Sequence, residues 1–513
     1  MPYCPEVPHP ARRLAAVVAV VVLLAGCGSA APTPPASASS AAPTSASPSP
    51  TPAPTPSVTP ITWSDCGAGF QCGILDAPRD YAEPTGPTVR LALIRLPATD
   101  PAHRIGSLVV NPGGPGGSGI EFVRSSAERI FPTDIRARFD IIGFDPRGVG
   151  DSTPVRCVDD LEHFVPVDAR AEDAADLADL VAGAKTFAAG CQRRNADLLA
   201  HLSTLDTARD LDLLRASLGD TKLTYLGFSY GTLIGALYAS LFPSHVRALA
   251  LDGALDPSLD LAAIRTGQAR AFEAAFGRFL AWCAGDTSCA FRSGGRPGPA
   301  FDALLARIDR APLPTPRLLD REPVNPTIAL LAVTGALYSR GVWPLLAAAL
   351  AEAQAGDGTD LLLLSDPFRG RKPNGAYSNM VDAYAAITCL DYPAPRDVAA
   401  YSALADSLAA AAPRFGRLLA FNDIDCAFWG APPVRTPAAV SAPGVPPLVV
   451  IGSRGDPATP YPWAESLARQ LGATLVTREG EGHTGYAASE CVRDAVDVYL
   501  LDLAPPPAGL DCR

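Results

Sequence analysis

The sequence is poor in the features that mark several common functions. Outside its first residues it has no cluster of Lys or Arg, and it carries a formal charge of -11 with a pI near 5.1. Both argue against a nucleic-acid partner, which needs a basic surface to meet phosphates. No two-plus-two Cys/His spacing of a zinc site is present, so no metal is expected. No cofactor is expected either, because no glycine-rich stretch has the form of a P-loop with its lysine. There is no internal repeat. The unbroken apolar run at residues 14–24 is too short to read as a membrane span. Histidine is scarce, with six in 513 residues, which narrows any search for a catalytic base. Apolar residues, in contrast, make up 48% of the chain, enough for a sizeable core. The length fits two or more average domains, or one α/β core with a large insertion.

Residues 1–26 read as an export signal. Arg12 and Arg13 precede the apolar run, which ends in Leu24-Ala25-Gly26-Cys27. That ending resembles the lipobox of bacterial lipoproteins, whose cysteine receives a diacylglycerol and becomes the mature N-terminus. A plain secretory cleavage site is the alternative. Two or more acyl chains would anchor the protein stably to a membrane, whereas one would not. After Cys27, the stretch up to residue 60 holds only Gly, Ala, Ser, Thr, Pro and one Val. With no charge and little to bury, residues 27–60 are expected to be a disordered tether. Of the twelve cysteines, setting aside Cys4 in the leader and Cys27 leaves an even set that an exported chain can oxidise. Spacing suggests Cys66–Cys72 and Cys283–Cys289 as local bridges. It also suggests Cys157–Cys191, Cys389–Cys426 and Cys491–Cys512 as longer ones, although sequence alone does not fix connectivity.

From about residue 61 the chain alternates short apolar runs with polar or glycine-rich loops, the punctuation of a parallel α/β sheet. Strands are expected at 89–96, 107–110, 139–144, 223–226 and 246–251, and an amphipathic helix at 205–218. After Asp252-Gly253 this rhythm stops. Residues 257–443 carry Ala/Leu helices, a Pro-rich passage and four cysteines. Strands return at 447–452 and 473–477, and a last helix runs over 487–500. The economical reading is one doubly wound, mostly parallel sheet in two parts, 61–256 and 444–513. A large, mainly helical cap is inserted before the last core strands.

The stretch Gly227-Phe228-Ser229-Tyr230-Gly231 joins a predicted strand to a predicted helix and has the form of a nucleophile elbow. Glycines two residues either side of Ser229 allow the tight turn, and the following helix offers its positive end. Only His483 follows the last expected strand, in a short glycine-rich loop that can place an imidazole over the sheet. The acid should follow the strand before it, which selects Asp456; Asp252, after the earlier strand, is the competitor. In this arrangement Asp456 holds the His483 tautomer that leaves Nε2 basic towards Ser229. The loop from Asn111 to Gly119 follows an early strand, and its glycines free backbone N–H groups. The oxyanion donors are expected from Tyr230 together with Gly113 or Gly114.

These residues resemble those of the α/β-hydrolases. Within them the chain is similar to the secreted tripeptidyl aminopeptidases of actinobacteria and their proline iminopeptidase relatives. The resemblance is carried by Asn111 to Gly119, Asp145-Pro146-Arg147-Gly148-Val149-Gly150-Asp151-Ser152, Gly227 to Gly231, Gly455-Asp456-Pro457 and Gly482-His483. It implies an exported serine exopeptidase that releases short peptides from a free N-terminus, with the cap closing the cleft. The histidine that opens the iminopeptidase glycine loop is replaced by Asn111-Pro112, which favours the tripeptidyl branch. A carboxylesterase on the same triad remains the alternative, so the expected substrate is a peptide or a small ester. Reading a free N-terminus requires a carboxylate to offset the desolvated ammonium. Asp391, Asp423 and Asp425 are the candidates, Asp391 first because its neighbours Leu390 and Tyr392 suggest burial. Arg147 is expected to support the site from beneath.

Overall fold

The computed structural model describes residues 56–513 apart from 160 and 162–167. The leader, Cys27, His163 and most of the tether lie outside the described residues. The strands are β1 Ser64–Asp65, β2 Gln71–Pro78, β3 Thr88–Leu96, β4 Gly106–Asn111, β5 Phe139–Phe144, β6 Leu223–Phe228, β7 Val246–Asp252, β8 Val449–Gly455, β9 Thr474–Glu481 and β10 Asp511–Cys512. They form one sheet in the order β1-β2-β3-β5-β4-β6-β7-β8-β9-β10. From β5 to β10 every neighbouring pair is parallel, whereas β1, β2 and β3 are added antiparallel at one edge. All residues of β4, β5 and β6 are buried. That is why these strands read as unbroken apolar runs rather than alternating ones: both faces are covered by helices. Each Val, Leu or Ile so buried contributes roughly 1.5–3 kcal/mol.

Between β7 and β8 the chain adds no strand to the sheet. It runs instead through helices from Leu261–Gly285 to Gly416–Ala420. This insertion has its own apolar core around Phe276, whose ring meets those of Phe279, Phe301 and Phe415. An excursion of this length needs a core of its own, because loops cannot bury their polar backbone. A second excursion was not anticipated. The helix Ala174–Asn195, between β5 and β6, packs Ala184 beside Tyr401 and Leu408 of the insertion, and Lys185 lies over the Phe428 ring. Its buried face is largely alanine and glycine, so its sequence gives little periodic signal. Strands β1, β2 and β10 were also not anticipated; β1 and β10 are only two residues long.

Five disulfides join Cys66 to Cys72, Cys157 to Cys191, Cys283 to Cys289, Cys389 to Cys426 and Cys491 to Cys512. The fourth ties the end of helix Met380–Asp391 to the segment carrying Asp423 and Asp425. Among the described residues no helix is long and apolar enough to cross a membrane, and no cluster of acidic, Cys and His residues is arranged to hold a metal.

Candidate active site

Ser229 follows β6 directly and precedes the helix Gly231–Leu241. It holds a positive φ of 54°, a left-handed conformation that non-glycine residues rarely adopt. The turn is fixed by the Ser229 amide, which donates to the Asp252 carbonyl at 2.8 Å, and by the Tyr225 hydroxyl on the Gly231 carbonyl at 2.8 Å. A Cβ at Gly227 would stand 2.5 Å from the Gly231 oxygen, so only glycine closes this turn. The loop after β4 comes alongside. A Cβ at Gly113 would lie 2.9 Å from both Ser229 Cβ and the Tyr230 nitrogen. The Gly113 N–H itself is engaged, however, by Asn111 Oδ1 at 2.9 Å. Gly114, whose amide makes no such bond, lines the cavity beside Ser229 and Tyr230. Of the two glycines anticipated as oxyanion donors, Gly114 is therefore the one left with a free N–H, and Gly113 is packed against Ser229 and Tyr230.

His483 sits in the loop after β9. Its Nδ1 meets Asp456 Oδ2 at 2.8 Å and Oδ1 at 3.0 Å. Asp456 follows β8, and its side chain is completely buried. Its orientation is set by the amides of Ala458 and Thr459, each donating to Oδ1 at 2.9 Å, and by the Thr459 hydroxyl on Oδ2 at 3.0 Å. Since the carboxylate accepts, Nδ1 carries the proton and Nε2 is left basic. Nε2 is buried and has no hydrogen-bond partner. Burial alone would lower the His483 pKa, but the Asp456 charge and hydrogen bond, with a further contribution from Asp252, outweigh it and raise it above its ordinary value. Asp252 itself does not touch the ring. Its oxygens accept the amides of Gly485 and Tyr486 at 2.8–3.0 Å, which braces the histidine loop, and burial pushes its carboxyl up to about 6.

Two further contacts have no clear signal in the sequence. Thr459 Oγ1 also lies 3.3 Å from His483 Nδ1, making it a third member of the Asp-His pair. From the insertion, the Tyr338 carbonyl accepts the His483 amide at 2.9 Å, and its ring meets the imidazole edge-on at 4.9 Å. The Gly455-Asp456-Pro457 motif already pointed to the loop of Thr459. Nothing in the sequence marked Tyr338.

Ser229, Gly114, Tyr230, Thr459 and His483 open into one cavity of about 830 Å3 between the sheet and the insertion, lined mainly by apolar side chains. The three acidic residues considered for an ammonium have different fates. Asp391, the first choice, does not line the cavity; it is buried and its oxygens accept the Thr204 amide, the Thr204 hydroxyl and the Tyr230 hydroxyl. Neighbouring apolar residues signalled its burial correctly but could not reveal these partners. Asp423 is neutralised by a two-pronged pair with Arg265, both contacts 2.6 Å. Asp425 alone faces the cavity without a hydrogen-bond or ion-pair partner. Desolvation, helped by the neighbouring Asp423 charge, pushes it up to about 7. Arg147 lies away from the chemistry: its buried guanidinium pairs with Asp210 at 2.6 and 2.7 Å and caps the carbonyls of Pro78, Arg79 and His201. The Asp145 carboxylate holds Ser118 Oγ and the amides of Ile120 and Asp151, so this loop too is structural.

A serine on a strand-to-helix turn, an Asp-His pair on the loops of later strands and a largely parallel sheet beneath them define the α/β-hydrolase class. The chain belongs to the α/β-hydrolase family. The family model described as alpha/beta hydrolase fold matches residues 106–293, and that described as TAP-like protein matches residues 412–512. Serine protease Hip1 of Mycobacterium tuberculosis is 38% identical over 482 residues, covering 88% of this chain and 91% of the relative. Carboxylesterase B of the same organism is 36% identical, covering 86% of each chain. Tripeptidyl aminopeptidase of Streptomyces coelicolor is 34% identical, over 88% of this chain and 85% of the relative. The protein is thus a hydrolase similar to both serine peptidases and an esterase.

Proposed function

We propose that this protein is an exported serine aminopeptidase that removes short peptides from substrates with a free N-terminus. Ser229 Oγ attacks the scissile carbonyl while His483 Nε2 takes its proton, and the N–H groups of Tyr230 and Gly114 receive the developing oxyanion. His483 then passes the proton to the leaving amine, and water, activated by the same imidazole, releases the acyl group. The observation that carries the aminopeptidase reading is Asp425, an unpartnered carboxylate in the cavity that also holds Ser229 and His483. An ammonium is the partner that would offset its desolvation. The similarity to tripeptidyl aminopeptidase supports the same reading. The second reading, a carboxylesterase, is favoured by the apolar lining of the cavity and by the similarity to carboxylesterase B.

The decisive comparison uses free and N-acetylated peptide amides beside neutral esters, on wild type and Asp425→Asn. Acetylation should lower kcat/KM strongly in the wild type. Asp425→Asn should cost about 2 kcal/mol, roughly 30-fold in kcat/KM, on free-amine peptides while sparing esters. Equal turnover of blocked and unblocked peptides would leave the esterase standing.

Five disulfides support export, since such bonds persist in oxidising compartments. Lipidation at Cys27 belongs to the same proposal: Cys27→Ala should abolish acyl labelling and membrane partition. An intact mass of the native N-terminus without added acyl chains would refute it.

A further inference from the structure

Asp391 is held by the nucleophile turn itself. It closes the helix Met380–Asp391 of the insertion and has no exposed surface. Its Oδ1 accepts the Thr204 amide at 2.9 Å, and its Oδ2 accepts the Tyr230 hydroxyl at 3.2 Å and the Thr204 hydroxyl. The two hydroxyls also contact each other. All three donors belong to the sheet core: Thr204 opens the helix Thr204–Ser217, and Tyr230 follows Ser229. The disulfide at Cys389, two residues earlier, secures this end of the helix. The Arg435 guanidinium, stacked over the Tyr392 ring at 4.8 Å, supplies a positive charge that acts on Asp391.

We propose that Asp391 is a positioning residue for the oxyanion hole, fixing the Ser229–Tyr230 peptide through the Tyr230 ring. The proposal rests on the reading of the Tyr230 N–H as an oxyanion donor. Such a donor is effective only when it already points to where the charge will form. The Ser229 side of this peptide is fixed by the Ser229 amide on the Asp252 carbonyl. On the other side, the Tyr230 ring branches from the same Cα that bears the N–H. With that ring buried and its hydroxyl tied to a carboxylate, the Cα cannot turn without breaking the bond. Phenylalanine fills the same space but lacks the tether. The insertion therefore contributes to the chemical step as well as covering the cleft.

The test compares the full-length wild type with Tyr230→Phe, Asp391→Asn and the double variant. Two substrates share one acyl group: a free-amine peptide anilide and its ester. Affinities for a peptide boronic acid, which mimics the tetrahedral adduct, and for a product peptide are measured alongside. Each single variant should lower kcat roughly tenfold on both substrates with KM little changed, a fraction of the loss when a donor is removed outright. The double variant should be no worse than the poorer single one. Boronate affinity should fall in step while product affinity holds. Unchanged kcat in Tyr230→Phe, or losses that multiply in the double variant, would overturn the proposal. So would a loss in Asp391→Asn confined to one of the two substrates. Should Asp391→Asn fail to fold, the kcat of Tyr230→Phe decides alone. Turnover surviving Ser229→Ala would instead remove the underlying triad reading, which is a separate signature.

Discussion

In the proposed mechanism Ser229 Oγ is a weak nucleophile at neutral pH until a base accepts its proton, so the groups around it would divide the catalytic work unequally. Ser229→Ala and His483→Ala should each lower kcat on the order of 10⁶-fold. Asp456→Asn should cost about 10⁴-fold, because a carboxamide presents an N–H to Nδ1 and favours the wrong tautomer. Asp252→Asn should be milder, since Asp252 braces the backbone of Gly485 and Tyr486 rather than the ring. Steady-state kinetics on variants with wild-type circular dichroism check this; a tenth of normal turnover in Ser229→Ala would sink the assignment. At this scale, the residues that were legible have rare types at constrained places. Ser229 lies between two glycines, and His483 is the one histidine after the last long strand. Thr459 carries no such mark, because a loop threonine is common and its partners come from different strands. The place of Asp391 is illegible for a related reason: burial can be inferred from neighbours in sequence, but a hydrogen-bond partner 187 residues away cannot.

Elements place these residues, and one buried ion pair links the insertion to itself across the cleft wall. Arg265, on the helix Leu261–Gly285, holds Asp423 with two contacts of 2.6 Å, and Tyr384 bonds to both. Both charges are buried. Asp423→Ala should therefore lower stability by about 3–5 kcal/mol, because it strands an uncompensated guanidinium in the interior. The denaturation midpoint in urea, with an unchanged slope, measures it; a loss below 1 kcal/mol would mean that water reaches Arg265. Replacing both partners with apolar residues should recover much of the loss, as expected when the cost lies in the unpaired charge. The central strands were legible because burial on both faces leaves only apolar runs of the right length. The helix Ala174–Asn195 was not read as part of the cleft. Its alanine-rich face packs against another segment of chain, and no local pattern encodes that partner.

Taken as a whole, the molecule brings two titrating groups from distant parts of the chain into one cavity, and the pH profile should report both. In the proposed mechanism His483, on the sheet side, must be neutral to act as base, and despite burial the Asp456 charge raises its pKa above the usual value. Asp425, on the insertion side, would have to be charged to receive an ammonium in the proposed binding mode, and desolvation with the nearby Asp423 charge pushes its carboxyl up to about 7. Both requirements fail as pH falls, so their effects on kcat/KM multiply. Neutral esters use only His483. Their log kcat/KM should fall on the acid side with a limiting slope of one. Free-amine peptides use both groups and should approach a slope of two. On the alkaline side the peptide's own α-amino group, with a pKa near 7.7–8.0, loses the charge that Asp425 is proposed to receive. The peptide profile should therefore be a narrow bell, while the ester profile stays level. Asp425→Asn should reduce the acid slope for peptides to one and leave the ester curve in place. Identical acid slopes for both substrate classes in the wild type would show that Asp425 takes no part in binding.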